Sequence, residues 1–346
     1  MHMADALLSP AVGTTMWAGT LAAIGYASKK MKENVDDKMI PLMGIFGAFI
    51  FAAQMVNFTI PGTGSSGHLG GGMALAILLG PYAAFLVMAS VLTVQALFFA
   101  DGGLLALGCN IWNLGIYPCF LAYPLIYKPL VGDSKSPRRI LVASLMSVVV
   151  ALQLGAFSVV LETLLSGKSE LAFGTFALLM QPIHLAIGII EGFVTAGIIN
   201  YVRNARPEIL ENITASRPLG AGISVRKVMI TFAVLAAITG GALSWFASTH
   251  PDGLEWAIAK VTGKGELPTL EHGIAPFLKG IQEKTAFLPD YNFRPASTEE
   301  KKKEEPAPWP GIEAGTSVAG IVGAAIVLGM VLLIGFGIRL FRGRHT

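Results

Sequence analysis

Long apolar stretches alternate with short polar connections along almost the whole chain. A helix that crosses a bilayer needs about 20 mostly apolar residues, and the pattern predicts such a helix in seven places. The stretch 69–99 is long enough for one such helix, or for two shorter ones interrupted at Gly80-Pro81. The pattern therefore predicts an all-α, polytopic integral membrane protein. The seven predicted helices are 9–28, 39–58, 104–127, 140–165, 176–202, 228–248 and 317–339.

The positions of the basic residues decide how often 69–99 crosses. Lys and Arg cluster after four of the predicted helices, and such clusters favour the cytoplasmic side. All four share one side only if 69–99 crosses twice, with Pro81 starting the second helix and the Gly-rich piece 69–79 forming a partial or re-entrant one. We therefore predict about nine crossings, with the N-terminus outside and the C-terminus inside. The clusters are Lys29, Lys30, Lys32 and Lys38; Lys128, Lys135, Arg138 and Arg139; Arg203, Arg206, Arg217, Arg226 and Lys227; and Arg339, Arg342 and Arg344.

Composition agrees with a membrane protein and argues against a soluble domain and against a nucleic-acid-binding protein. Only 14% of the 346 residues are charged and 53% are hydrophobic, whereas soluble domains carry about 25% charged residues. The net charge of +3 is too small to indicate nucleic acid as a partner, so membrane lipid is the surroundings we expect. Cys109 and Cys119 are predicted to be buried packing residues, with a disulfide or metal pair as the alternative.

Long polar connections divide the chain into parts. Residues 1–203 are predicted to form a seven-helix unit, 204–227 a cytoplasmic linker, and 228–346 a helix–loop–helix hairpin with an outside loop over 249–316. The stretch RPASTEEKKKEEPAPWP in that loop is charged and rich in proline, so it has no means of building a core. In the last helix, GTSVAGIVGAAIVLG offers a face of small residues for docking against another helix.

Two histidine-bearing segments fall on the predicted outer face. One is the start of the chain, MHMADALLSP, where His2 stands next to Met1; we expect no cleavable signal peptide, because no basic region precedes the first apolar stretch. The other is the loop 60–72, IPGTGSSGHLGGG, with His68. Irregular backbone at membrane depth is tolerated where it is buried in protein or lines a cavity. The loop is therefore a candidate ligand site, with a flexible connector and an exposed histidine as the alternative.

The first two residues contain the donors of a metal chelate. The α-amine of Met1, the backbone nitrogen of His2 and the Nδ1 of its imidazole can bind one ion through a five-membered and a six-membered ring. His68 could complete a planar set of four nitrogens, which suits Ni(II) or Cu(II) better than Zn(II). The amide must lose its proton, so affinity should fall in acid. The alternative is that His2 is an accident of the chain start.

Several further polar residues could line the pocket or orient the ligands, with turn formation and helix–helix hydrogen bonds as the competing interpretations. His184 and Glu191 are seven apart on one helix and therefore share a face. They are either a functional intramembrane pair or structural groups that form hydrogen bonds between helices. The pocket candidates are Ser65, Ser66, Gln95, Asp101 and Asn110.

Motifs of enzymes are missing. SGKSE at 166–170 is similar to the end of a P-loop, but Glu162 stands where its first glycine should be, so the chain has no Walker A sequence. The zincin motif H-E-x-x-H is absent too. We therefore do not expect an ATPase or a protease. An intramembrane metal-dependent enzyme and an ion channel or secondary transporter remain alternatives to a metal-capturing protein.

Several of these stretches resemble one transporter system. The start MH, PGTGSSGHLGGG, QALFFADGGLLALGCNIWNLG and HLAIGIIEG resemble the substrate-capturing M subunit of nickel/cobalt energy-coupling-factor transporters, the CbiM/NikM family. HPDGLEWAIAKVTG and LPDYNF resemble the small N subunit with its PDGLE motif. The chain is thus similar to an M–N fusion over nearly its whole length.

The resemblance implies both a site and partners. Its metal ligands correspond here to Met1, His2 and His68, and Asp101, where cobalt-specific members often have histidine, favours nickel. It implies the substrate-binding component of an ATP-driven importer for Ni(II) or Co(II), without an organic cofactor. The implied partners are a transmembrane coupling subunit and two ATP-binding-cassette ATPase subunits, in a bacterial or archaeal inner membrane. We also expect the PDGLE loop to insert near the metal site.

Overall fold

The structure is a computed structural model that describes residues 2–34, 36–132, 136–168, 170–215, 217–220, 222–265, 267, 273–294 and 309–342. Met1 and most of the charged, proline-rich linker lie outside these ranges. The described chain is mostly helical. Its α-helical elements are α1 (Pro10–Asn34), α2 (Met39–Gln54), α3 (Gly72–Leu79), α4 (Pro81–Phe99), α5 (Leu107–Val131), α6 (Pro137–Leu165), α7 (Phe173–Ala205), α8 (Pro207–Thr214), α9 (Arg226–Gly241), α10 (Gly253–Thr262), α11 (Ala275–Thr285) and α12 (Ala314–Arg342).

Five helices in the described part of the chain are long and apolar enough to cross a membrane, namely α4, α5, α6, α7 and α12. The helix α2 is apolar but shorter. In α5, the stretch Trp112–Tyr127 has π-helical hydrogen bonding and contains Pro118 and Pro124. Proline removes a backbone donor from a helix, and wider turns are one way for a helix to accommodate it. The nine crossings and their orientation stay predictions.

The interruption predicted within 69–99 is confirmed. Gly80 separates α3 from α4 with a φ of 79°, a conformation that L side chains rarely adopt, and Pro81 occupies the first turn of α4. The eight residues of α3 span about 12 Å at 1.5 Å per residue, well short of the roughly 30 Å of a bilayer core. The piece is therefore a partial helix, and the extended backbone before it continues its path through the bundle.

A small sheet corrects the all-α prediction. Within and before the predicted loop 60–72, β1 (Phe58–Ile60) and β2 (Ser65–Gly67) pair antiparallel. The hydrophobic pattern gives no sign of these strands, because three residues are too few for an alternation to be recognised. Ser66 also forms an isolated parallel bridge with Asp252, which joins this sheet to the C-terminal hairpin.

Close helix packing fixes the C-terminal hairpin on the rest of the molecule. A side chain at Gly320 of α12 would collide with the backbone of Gly240 in α9, within the hairpin itself. One at Gly323 would collide with the ring of Phe51 in α2, outside the hairpin. The prediction that the last helix docks through a face of small residues is therefore confirmed. Cys109 and Cys119 are buried free thiols, as predicted.

Different parts of the chain lie at the two ends of α2. Near its start, the Lys38 ammonium donates to the carbonyls of Gly220 and Ile223 at 2.6 and 2.7 Å, and Asp36 accepts from the Leu219 N–H at 2.6 Å. The predicted cytoplasmic linker thus lies at this end. The other end of α2 leads into the small sheet and the His68 loop, so that the segments predicted to lie outside meet there.

Candidate metal centre

Hydrogen bonds to backbone atoms fix the first residues of the chain. The Met3 N–H donates to Asn110 Oδ1 at 2.8 Å, and Asn110 Nδ2 donates back to the Met3 carbonyl at 3.2 Å. The Gly103 N–H also donates to the Met3 carbonyl, at 2.9 Å. Asn110 thereby binds this segment as a neighbouring strand would. Asn110 therefore contacts Met3, the neighbour of His2 in the chain, and not His68.

The fold brings the two predicted histidine ligands together. The imidazoles of His2 and His68 stack with ring centroids 5.0 Å apart and an interplanar angle of 13°. His68 Nδ1 lies 3.1 Å from the Leu69 carbonyl. Burial lowers the pKa of His2 and of His68 to about 3. Both rings are therefore neutral near pH 7, and a neutral imidazole is the form that binds a metal.

Asp101 lies beside the His2 ring. Its Oδ1 lies 3.3 Å from Nδ1 of His2, whose side chain is only 6% exposed. Burial raises the pKa of Asp101, and a hydrogen bond from the Tyr291 hydroxyl opposes the shift. The proposed chelate uses this same Nδ1, whose lone pair cannot bind a metal while the atom carries a proton. Metal binding through Nδ1 would therefore replace its contact with Asp101.

The extended backbone after His68 is held by side chains of the surrounding helices. Glu191 of α7 accepts from the N–H groups of Gly70 and Gly71 at 2.6 and 2.8 Å. Gln54 of α2 donates to the Gly70 carbonyl at 2.8 Å, and Gln95 donates to Gln54 Oε1 at the same distance. These bonds meet the requirement that irregular backbone inside a membrane protein be satisfied internally. Gln95 thus orients the loop indirectly.

His184 and Glu191 share a helix face but do not bond to each other. His184 Nδ1 lies 2.7 Å from the Met180 carbonyl, whereas Glu191 binds the loop. The Nε2 of His184 is buried without a hydrogen-bond partner among the described residues. It borders a small cavity that is also lined by His68 and Asp252. The predicted intramembrane pair is therefore two separate groups facing the same loop.

The PDGLE segment of the C-terminal hairpin packs directly on the sheet beside His68. The Ser66 N–H donates to the Pro251 carbonyl at 2.8 Å, and the Ser66 hydroxyl donates to the His250 carbonyl at 2.8 Å. Trp256 donates through its indole N–H to the Thr63 carbonyl at 3.0 Å. Ser66 therefore connects the two parts of the chain.

The acidic residues of PDGLE cap the helix α10. Asp252 accepts from the N–H groups of Leu254 and Glu255 at 2.8 Å, and the Glu255 carboxylate accepts from the Asp252 N–H. Burial would raise the pKa of Asp252, but neighbouring cationic groups and the Glu255 N–H outweigh it and lower the value to about 2. Ser65, another pocket candidate, shares a hydrogen bond with the Thr63 hydroxyl at 2.8 Å.

Sequence analysis missed two residues that hold the site, Gln54 and Tyr291. Gln54 carried the same signal that singled out Gln95, a buried amide in an apolar helix. Tyr291 lies in LPDYNF, which was noted only for its resemblance to the N subunit, and its contact with Asp101 joins positions 190 apart in the chain. Among the residues that the structure describes, no three His, Cys, Asp or Glu side chains are arranged to hold one metal ion.

We expect Glu191→Gln to disturb the site through the loop. An amide offers one acceptor oxygen in place of two, so a buried N–H of Gly70 or Gly71 loses its partner, which costs about 1–3 kcal/mol. Thermal unfolding in detergent should register this loss, and Ni(II) affinity should fall with it. Glu162→Gln is the matched control, because Glu162 is another buried helix carboxylate and bonds Asn113 instead of the loop. Equal effects of the two substitutions would contradict the assigned role of Glu191.

Family models match both parts of the chain. The family model described as the cobalt uptake substrate-specific transmembrane region, CbiM, matches residues 2–209. The chain belongs to the CbiM family. The PDGLE domain model matches residues 226–340 of this CbiM-family chain, which confirms the resemblance to an M–N fusion. It is a multi-pass membrane component of nickel/cobalt transport and not an enzyme.

Similar proteins and a similar solved structure are also named as metal transporters. The putative fused nickel transport protein NikMN of Archaeoglobus fulgidus is 32% identical over 95% of this chain and 96% of its own length. The fused nickel transport protein NikMN of Rhodobacter capsulatus is 28% identical over 84% and 88%. The crystal structure of a truncated transition metal transporter is 30% identical, with a TM-score of 0.52, and covers 59% of this chain and 99% of the solved one.

Proposed function

We propose that this chain captures Ni(II), or Co(II), at the outer face of a bacterial or archaeal inner membrane. The ion is held by the α-amine of Met1, by the backbone nitrogen and Nδ1 of His2, and by His68. The observation that carries the proposal is the stacked, neutral pair of His2 and His68 beside a hydrogen-bonded chain start. Four nitrogens in one plane suit Ni(II), and the names of the fused relatives also favour nickel.

The proposal includes partners that supply energy. The chain has no Walker A sequence, so import driven by ATP requires a transmembrane coupling subunit and two ATP-binding-cassette ATPase subunits. The contacts of Ser66 with residues 250 and 251 support a role for the PDGLE segment in holding the His68 loop for loading. In vesicles, the proposal predicts metal binding but no ATP-driven uptake by this chain alone. Downhill metal flux through the isolated chain would favour the channel or secondary-transporter alternative.

Titration calorimetry with Ni(II) over a range of pH tests the site. Above about pH 5 the imidazoles carry no proton, because burial holds the pKa of His2 and His68 at about 3. The amine, with an ordinary pKa of about 7.7–8.0, and the amide each release one proton when the metal binds. We therefore expect affinity to fall as pH falls, by about 100-fold per unit between pH 7 and 5.

Two other pH dependences would contradict this assignment. A fall of about 10⁴-fold per unit below pH 6 would mean that both imidazoles are protonated with ordinary pKa values. Affinity that does not change between pH 7 and 5 would exclude the amine and the amide as ligands. Co(II) and Zn(II) titrated under the same conditions serve as comparisons, and we expect weaker binding of Zn(II) because it prefers tetrahedral sites.

A further inference from the structure

The imidazole of His184 offers a lone pair inside the bundle. His184 Nδ1 lies 2.7 Å from the Met180 carbonyl, one turn earlier in α7. A carbonyl only accepts hydrogen bonds, so Nδ1 carries the proton and Nε2 keeps its lone pair. The side chain is 1% exposed, and Nε2 has no hydrogen-bond partner among the described residues. In proteins, such a buried atom usually serves a bound water, an ion or a catalytic step.

This lone pair borders the same small cavity as His68. The cavity has a volume of about 10 Å³, which is about the space that one water molecule requires, and a Ni(II) ion is smaller than a water molecule. His68, His184 and Asp252 supply its ionisable side chains, and the rest of its wall is glycine and leucine or isoleucine. An ion in this cavity would therefore meet two imidazoles and one carboxylate.

Glycines bring two segments close to α7 around the cavity. A Cβ atom at Gly67 would lie 2.4 Å from the side chain of Ile187. One at Gly253, in the PDGLE segment, would lie 2.5 Å from Ile183 and 3.6 Å from Cε1 of the His184 ring. Cε1 is bonded to Nε2, so the tip of this ring lies next to the start of α10. Larger residues at either glycine would move the small sheet or the PDGLE segment away from α7.

His184 lies well inside the bundle. It follows Phe173, the first residue of α7, by eleven positions, which is about 16 Å along the helix axis at 1.5 Å per residue. That is about half of the roughly 30 Å of a bilayer core. Ionisable side chains at such a depth are rare, and they mark sites for substrates, ions or protons.

We propose that His184 and His68 form a second binding position for the metal ion, in the cavity between α7 and the PDGLE segment. His68 belongs to both positions, because its ring stacks on His2 and also lines the cavity. When the ion moves, its bonds to the Met1 amine and to the amide and Nδ1 of His2 break, and a bond to His184 Nε2 forms. The amine and the amide each regain a proton from water, and the metal stays divalent.

The second position is weaker than the first. Among the residues that the structure describes, no three acidic, histidine or cysteine side chains converge on one point, so the two imidazoles are the ligands there. The Asp252 carboxylate faces the same cavity and offsets the charge of the ion. A weak position inside the bundle lets the ion leave the chelate without returning to the outer solution. This inference rests on the proposed function, since His68 must be a ligand of the first position.

The test uses the full chain with one residue added before Met1 and with His2→Ala, which we call the chelate-deficient chain. It keeps His68 as the only side-chain ligand of the first position. In calorimetry with Ni(II) alone, we expect it to bind one ion weakly. In this background His184→Leu should weaken binding about 100-fold, because it removes one of two ligands, and His68→Ala should do the same.

Met180→Leu in the same background is the matched control. Met180 is fully buried one turn from His184, and leucine keeps the carbonyl that accepts from the His184 ring. It should leave the weak binding unchanged. X-ray absorption at the nickel edge should show two imidazole ligands in the chelate-deficient chain and one after His184→Leu. The melting temperature of each variant without metal shows whether it is folded.

The outcomes distinguish this inference from the proposed function. Wild-type protein that binds no Ni(II) overturns both. Tight binding by the wild type, with no binding by the chelate-deficient chain, overturns this inference alone and leaves a buried water as the partner of His184 Nε2. Weak binding that persists after His184→Leu also overturns it, because another group would then hold the ion.

The unextended chain gives one more check. There we expect His184→Leu to leave Ni(II) affinity unchanged, because the first position binds the ion much more tightly than the second. A large loss of affinity in the unextended His184→Leu variant would place His184 among the ligands of the first position, and a separate second position would then be excluded.

Discussion

Adding one residue before Met1 is expected to weaken Ni(II) binding by at least about 100-fold. The extension turns the α-amine into a peptide nitrogen, so the chelate loses its first donor while every side chain is kept. A four-ligand metal site binds with about 10–16 kcal/mol, which is roughly 3 kcal/mol per ligand, and each 1.4 kcal/mol corresponds to about tenfold in affinity. Calorimetry on purified protein measures the loss, with mass spectrometry to establish that the unextended chain starts at Met1.

The matched control adds the same residue after Thr346, far from the site along the chain. That variant has identical composition and should bind Ni(II) like the unextended protein. Both extended forms should melt at the same temperature without metal, since the segment from Met3 onward keeps its bonds to Asn110 and Gly103. Unchanged affinity in the N-terminally extended form would exclude the amine as a ligand.

Residue chemistry and the predicted topology together led to the expectation that His2 and His68 lie close to each other. A histidine in second position carries its own chelate geometry, and the basic clusters placed His68 on the same face. The structure confirms this proximity, with the two rings stacked at 5.0 Å. The break at Gly80 was predictable as well, since glycine followed by proline both ends one helix and begins another.

Other features depended on contacts that no local pattern encodes. Helical spacing placed His184 and Glu191 on one face, but it could not reveal that the loop at Gly70 and Gly71 lies opposite Glu191. The strands β1 and β2 are too short to produce a periodic signal. The contact between Tyr291 and Asp101 could be recognised only once the fold was known, because no local pattern encodes a contact between positions 190 apart.

Under the proposed function, metal affinity therefore depends on two separate parts of the chain. The His68 loop is held by Glu191 of α7, which bonds Gly70 and Gly71, and by the PDGLE segment, which bonds Ser66. The start of the chain is held by Asn110, and its imidazole contacts Asp101, which is bonded by Tyr291. Because each ligand has its own supporting contacts, substitutions in either part should weaken the same metal site.

His68→Ala is the second substitution for which we expect a large effect, with a loss of Ni(II) affinity of about 100-fold or more, since it also removes one ligand of four. His250→Ala is the matched control: its imidazole is exposed on the neighbouring segment, and alanine keeps the carbonyl that accepts from Ser66. The control should bind Ni(II) like the wild type. The melting temperature of each variant without metal shows that it is folded.

Combining His68→Ala with His2→Ala tests whether the two rings serve one ion. The wild type should bind one Ni(II) per chain, and the double variant should bind none with measurable affinity. Two ions bound by the wild type, with one kept in each single variant, would place the rings at separate ions. Wild-type affinity in His68→Ala would mean that another group completes the coordination, and Asp101, which lies 3.3 Å from the His2 ring, would be the first to replace. Such a result would exclude His68 as the fourth ligand, and the chelate formed by Met1 and His2 would remain part of the proposal.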